Sequence, residues 1–283
     1  MTRVVPRRVR SRVFGRNPTA YDRARLTYPD RVYEILRERC GLRSGAAVFE
    51  IGPGTGIASR ELRRFGADPL LLIEPDRRLA RYLRANLGTW SGRVGISVLP
   101  FERAPLPSAG FDLGVAATSF HWLPERRALR KIGRALKPGG WWATWNNHHG
   151  DGSRSSPFHR ALQPLYRELA QGRPGGAPTR AAARKYRFAR LRALRSVGSF
   201  TEVAVEEIRW TATLRTARVQ ALWGSFSEIV TLPPRKRAWF LNELGRIVDR
   251  RFAGEIDLPV LTPIYTARRI DPPPIPAEVR GPK

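Results

Sequence analysis

Cysteine is nearly absent: Cys40 is the only one in 283 residues. No disulfide framework, CxxC pair or cysteine-based zinc site is therefore available within the chain, which fits the cytoplasm. Lysine is also scarce, limited to Lys131, Lys137, Lys185, Lys236 and Lys283. Acids are few, 24 Asp and Glu against 51 Lys and Arg, so the net charge of +27 is almost wholly arginine. Such a balance suits nucleic acid, anionic surfaces or acidic small substrates, and equally a solvated surface with arginines spread along the chain. No stretch approaches the ~20 apolar residues that span a bilayer. The opening "MTRVVPRRVRSRVFGRNPTA" has no acid before Asp22 and no apolar core of a secretory signal. It reads as a basic arm, with the composition a mitochondrial transit peptide would also have.

What is present is a rhythm. The pattern of Val32, Ile35 and Leu36 predicts a helix before Gly41. Short apolar strands follow at 46–51, in "PLLLIEP", in "VGISVLP", in "FDLGVAATSF" and in "WWATWN". Helical patterns separate them: "IASRELRRFG", "DRRLARYLRANLG" and "PERRALRKIGRALKPGG", the last stopped by Pro-Gly-Gly. Strands alternating with helices predict a doubly wound, mostly parallel α/β sheet covered on both faces. After Asn147 the rhythm breaks. The expected organisation is a basic arm and helical cap (1–44), a core (45–147), a basic helical lid (148–200), a carboxyl-terminal part of the sheet with two inserted helices (201–270), and a disordered tail (271–283).

The stretch "VFEIGPGTGIA" carries the chemistry. Gly52, Gly54 and Gly56 stand at every second position behind the first strand, where backbone N–H groups can approach a ligand closely. A dinucleotide fingerprint would need glycine at 57, which is Ile57, and there is no Walker lysine. Glu74 ends the second strand, where an acid can accept hydrogen bonds from both hydroxyls of a ribose.

With "VFEIGPGTG", "LLIEPD", "FDLGVAATSFHWL" and "ALRKIGRALKPGGWWATW" in view, the chain resembles the class I S-adenosylmethionine-dependent methyltransferases. It looks most like the methyltransferase type 11 branch with trans-aconitate methyltransferase-like enzymes, from about Tyr21 to Ile270. The resemblance implies a seven-stranded Rossmann-like sheet with an antiparallel last strand, and S-adenosyl-L-methionine as cofactor. It implies that Glu50 holds the methionine ammonium, that Gly52, Gly54 and Gly56 contact the methionine part, and that Glu74, with Pro75 beside it, binds the ribose. It puts Pro100, Phe101 and Glu102 beside the adenine and Thr118 at the donor. It also implies that the cap residues Tyr21, Arg25 and Tyr28 fold over the donor.

Methyl transfer to a nucleophile is an in-line displacement in which positioning supplies much of the rate. "TSFHWL" should face the transferred methyl, with Phe120 and Trp122 as walls. His121 or His148 is a candidate general base, or a residue that only shapes the pocket. A carboxylate acceptor needs no base, only an arginine clamp. Neighbouring His148 and His149 with Asp151 do not make a metal site, because adjacent side chains diverge. The expected acceptor is a small molecule bearing a carboxylate or hydroxyl. Two alternatives stand beside it: a ribosomal or transfer RNA methyltransferase using the basic segment 179–195, and a donor-binding homologue without catalysis. The oligomeric state is open.

Overall fold

In the computed structural model of the chain, residues 15, 17–86, 92–150, 156–169 and 180–270 are described, 180–183 by their backbone alone. The arm before Gly15, the "GRPGGAPT" loop, Asp151 and the tail from 271 lie outside the described residues.

Helices α1 (Pro18–Ala24) and α2 (Asp30–Glu38) precede the sheet. Asn17 caps α1 by accepting the Ala20 N–H at 3.0 Å. Strands β1 (Ala46–Ile51), β2 (Ala67–Ile73), β3 (Val94–Ser97), β4 (Phe111–Ala117) and β5 (Leu136–Trp145) alternate with α3 (Ile57–Arg64), α4 (Arg77–Asn86) and α5 (Glu125–Ala135). Then come β6 (His148–His149), α6 (Pro157–Ala161), α7 (Gln163–Glu168), α8 (Arg180–Ser196), β7 (Phe200–Arg215), α9 (Thr216–Gly224), α10 (Ser227–Val230), α11 (Pro234–Phe252) and β8 (Glu255–Arg269).

The sheet order is β3-β2-β1-β4-β5-β8, and β7 pairs with β8. The first five strands are parallel, whereas β8 runs antiparallel to β5 and β7. The two-residue β6 continues the edge of β5 along β8, so the described sheet has eight strands where seven are expected.

All six residues of β1 are buried because layers cover both faces. Alternate side chains divide between two cores. Ala46 and Val48 join a cluster with Tyr33, Leu36, Leu62 and Trp145, while Ala47, Phe49 and Ile51 join one with Phe101, Leu129 and Trp142. Burying a side chain such as Phe49 contributes about 2–3 kcal/mol.

Two expectations need correction. The Pro-Gly-Gly after α5 does not separate a helix from a strand. Instead α5 ends at Ala135, β5 begins at Leu136, and the ladder slips between Phe111 and Leu113 to absorb Lys137–Gly140. The first of the two inserted helices, "ARVQALWGSFSEIVTLP", divides into α9 and α10, because Phe226 turns extended (φ −75°, ψ 140°) to bury its ring. The basic segment expected as a lid (148–200) contributes to two cores. Leu194 of α8 is buried in the Phe49–Trp142 core, whereas Phe158, Leu165 and Tyr166 of α6 and α7 enter a third core around Trp223 and Phe240.

The β7–β8 pair joins all three cores. β5 touches β8 only over Ile264–Arg268, but β7 follows β8 along its whole length, from Arg269 to Glu255. Ile264 and Ala267 pack in the two sheet cores. Ile256, Leu258, Ala212 and Leu214, in the overhanging half, pack in the third.

Candidate functional site

The carboxyl ends of β1, β2, β4 and β5 converge on the glycine loop. Behind Ile51 the chain turns through Gly52 (φ +65°), Gly54 (φ +61°) and Gly56 (φ +90°), and Gly56 caps α3. The three left-handed residues explain the alternating glycines. They are not equivalent. A Cβ on Gly52 would lie 2.7 Å from the Ser119 Cβ, while one on Gly54 would meet nothing within 4 Å. Gly52 is thus a close approach between loop and β4, and Gly54 faces open space. Between them and Gly56 lies Thr55, 1% exposed, whose Oγ1 has no hydrogen-bond partner among the described residues.

Two carboxylates brace this loop. Glu74 accepts the Gly54 N–H at 3.0 Å on Oε2 and the Asp76 N–H at 2.9 Å on Oε1. Glu50, 1% exposed, accepts Ser59 Oγ at 2.5 Å. Burial pushes both carboxyls up, each to about 7. The hydrogen bond from Ser59 partly opposes this at Glu50, and those from Asp76 and Gly54 do so at Glu74. Glu74 adds its own repulsion to Glu50. A buried acidic pair with unused lone pairs, around a concave backbone, is ready for a ligand carrying positive charge and hydroxyl donors.

Thr118 ends β4 in the left-handed region (φ +54°), a strained setting for a β-branched residue. Its N–H donates to the Trp145 carbonyl at 2.8 Å. Its Oγ1 lies 2.8 Å from Tyr28 Oη, so the cap is fastened to the tip of β4. Burial keeps the Tyr28 phenol protonated. The Tyr28 ring meets Trp145 edge-on at 5.8 Å. Nearby, the Arg25 guanidinium sits 5.1 Å from the ring centroids of both Tyr21 and Phe226, and its Nη2 donates to the Ser225 carbonyl at 3.4 Å. Its charge is felt at the Tyr28 phenol. Arg218 of α9 donates to the Arg25 carbonyl at 3.0 Å.

The structure therefore draws Glu50, Gly52, Gly54, Gly56, Glu74, Thr118, Tyr21, Arg25 and Tyr28 toward one end of the sheet. Other expected residues stand differently. Phe101 is buried against Phe49 and Lys131, so its ring belongs to the core. Phe120 is also buried, tilted on Trp142 at 5.0 Å and capped by Arg190 at 4.7 Å, and so is no wall of the cleft. Pro75 and Glu102 are exposed. His121 is exposed beside Trp122, on the short helical turn Phe120–Trp122. Burial pulls His148 down to about 4, and Asn146 Nδ2 donates to its Nε2 at 2.8 Å, so it is a neutral, weakly basic imidazole.

Several participants escape sequence reasoning. Ser59 pairs with Glu50 across the loop, and Ser119 Oγ donates to the Ile51 carbonyl. A polar chain runs from Trp210 Nε1 to Thr262 Oγ1 (2.9 Å), from that hydroxyl to Asn147 Oδ1 (2.7 Å), and from Asn147 Nδ2 to the Thr27 carbonyl (3.0 Å). It ties the β7–β8 pair to the residue beside Tyr28. Among the described residues no group of three His, Cys, Asp or Glu is placed to hold a metal, and no helix is long and apolar enough to cross a membrane.

Residues 49–144 match the family described as methyltransferase domain. An uncharacterized methyltransferase of Schizosaccharomyces pombe is 23% identical over 264 residues, covering 92% of this chain and 98% of the relative. The malonyl-[acyl-carrier protein] O-methyltransferase of Geobacter sulfurreducens is 31% identical over 168 residues, covering 57% of this chain and 60% of that enzyme. Other curated relatives are matched over about half of their own length. The fold is shared with a putative type II methyltransferase from Anaeromyxobacter dehalogenans, at TM-score 0.63 and 22% identity, over 88% of this chain and 99% of that one. The stretch running from the glycine loop to the tip of β5 is the stretch the family match covers: residues 49–144 match a methyltransferase domain, and the curated relatives similar to the chain are methyltransferases.

Proposed function

We propose that the chain binds S-adenosyl-L-methionine in the cleft between Glu50 and Glu74 and transfers its methyl group to a small anionic acceptor held under the cap. One observation carries the donor reading: two buried carboxylates with unused lone pairs flank a loop whose central glycine, Gly54, faces open space. The residues fit the group. Glu74 spends two of its roughly four acceptor positions on backbone N–H groups and keeps the rest for ribose hydroxyls. Glu50 is a buried counter-charge for an ammonium, and Thr55 Oγ1 is a buried hydroxyl awaiting a partner. Pro75, Glu102 and the backbone at Phe101 remain candidates for the edge of the adenosine.

When bound, the donor supplies an electrophilic methyl on a sulfonium. The chain supplies position. Thr118 and Tyr28 fix the wall at the end of β4, and their oxygens are neutral dipoles that suit a cation. Arg25 offers the charge an anionic acceptor needs at the cap, held in orientation by two aromatic faces. A carboxylate placed there is already a nucleophile. The depressed basicity of His148 accords with a reaction that needs no general base, and leaves that residue as a polar wall with Trp122 and His121 at the rim. The Geobacter relative, a malonyl-[acyl-carrier protein] O-methyltransferase, agrees in chemistry with a carboxylate acceptor.

Calorimetric titration with S-adenosylmethionine tests the donor site. Binding that Glu74→Ala lowers at least tenfold is expected, followed by S-adenosylhomocysteine release when dicarboxylic acids are screened as acceptors. Equal affinity in the two proteins would sink the assignment.

A further inference from the structure

The outer face of α4 has a use that methyl transfer does not explain. Arg77, Arg81 and Arg84 follow one another at helical spacing, on one face and about 10 Å along the axis. With Ala80 and Val98 they line an open groove of about 330 Å³. None of the three has an acidic partner among the described residues. Their neighbours do: Arg78 pairs with Asp76 at 2.8 Å, Arg60 with Asp22 at 3.1 Å, and Arg64 with Glu61 and Asp30. Three like charges converging on one groove repel each other, and among the described residues no acid is placed to neutralise them. Among the described residues the lining holds no aromatic ring or side-chain amide that would read a base or a sugar. Gly15 lies against the Asp76 carboxyl, so the chain enters the fold beside Arg77 from a segment with five arginines and no acid.

We propose that this groove binds the phosphodiester backbone of a single-stranded nucleic acid, one phosphate to each of Arg77, Arg81 and Arg84. A row of guanidiniums spread along about 10 Å suits successive phosphates of a strand better than one compact oligophosphate, and the guanidinium fork matches phosphate geometry. The net charge of +27 draws a long polyanion toward the surface from a distance. With only guanidiniums and small apolar side chains among its described lining residues, the groove grips the backbone rather than the bases, without sequence preference. Its described lining (Arg77, Ala80, Arg81, Arg84 and Val98) shares no residue with the Arg25–Tyr28–Thr118 cluster, although α4 touches the cap helix α1 through Tyr82 and Asp22.

The test is fluorescence anisotropy with a labelled 12-nucleotide oligouridylate over 50–200 mM salt, using the full chain. Arg77→Gln/Arg81→Gln/Arg84→Gln is compared with a control triple variant on α11, Arg235→Gln/Arg250→Gln/Arg251→Gln. Removing three phosphate contacts from a single strand lowers the slope of log affinity against log salt by roughly 2, so the wild type loses roughly 16-fold more affinity than the variant across that fourfold salt range. Donor titration by calorimetry, unchanged in both variants, certifies the fold and separates this result from any failure of the donor site. The proposal is overturned if both triple variants lose affinity equally, because the binding is then diffuse surface charge. It is also overturned if tripolyphosphate, at equal phosphate concentration, displaces the strand completely.

Discussion

Glu50→Gln should make the ligand-free protein more stable, and increasingly so as pH rises. Glu50 is 1% exposed, and its carboxyl stands at about 7 in the folded chain against an ordinary 4.5. The folded state therefore binds more protons than the unfolded state between those values. The sign follows: this carboxyl costs little below pH 4.5, and folded stability is lost as pH rises from 4.5 through 7. Ionising it in place costs under about 1 kcal/mol at pH 5 and about 3 kcal/mol at pH 8. A glutamine has the same shape, keeps an acceptor for Ser59 Oγ, and never ionises. The variant should gain on the order of 2 kcal/mol more at pH 8 than at pH 5, which for a chain of this size is on the order of 5 °C in melting temperature. Calorimetric melting at the two pH values, without ligand, measures it. The same variant should bind S-adenosylmethionine at least tenfold more weakly, since the buried countercharge is gone. A pH-independent difference, or a variant less stable at pH 8, would refute the reasoning that an uncompensated buried charge is maintained here for a cationic ligand.

Gly54→Ala should cost about 1–2 kcal/mol of stability for its positive φ alone, because its Cβ meets nothing in the protein, yet abolish donor binding in the same titration. Gly52→Ala should destabilise more, because its Cβ collides with Ser119, and chemical denaturation ranks the two. Tyr28→Phe removes the bond to Thr118 but keeps the ring against Trp145. It should lower kcat more than donor affinity and cost about 1 kcal/mol in stability, and steady-state kinetics with paired denaturation would separate the two effects.

The glycine-loop half of the candidate site is legible in the sequence because its determinants are local. Gly52, Gly54 and Gly56 need left-handed backbone, and Glu74 needs a strand end. Both leave marks within a few residues of where they act. What the sequence hides is direction and partnership. Phe101 and Phe120 fall where expected along the chain, but their rings turn into the core, and only the packing of Phe49 and Trp142 decides that. Ser59 is a serine one turn into a helix until the fold sets it against Glu50. The Trp210–Thr262–Asn147–Thr27 chain joins positions 52 to 120 residues apart and has no local signal. The break between α9 and α10 is likewise a tertiary choice, made by burying Phe226.

The β7–β8 pair has a mechanical consequence. It is a cantilever. Five rungs with β5 clamp its root in the parallel sheet, while the overhang from Glu255 to Pro263, with its partner Glu207–Arg215, is held on that edge only by the two-residue β6 and Gly150 and bears α9, α10 and α11 as its load. Ser225 and Phe226, which hold the Arg25 guanidinium, ride near the free end. A beam fixed at one end yields most at its tip and least at its root. A displacement of α9, α10 and α11 would therefore reach the Arg25 guanidinium before it reaches the carboxylates at the glycine loop, which are seated at the clamped end.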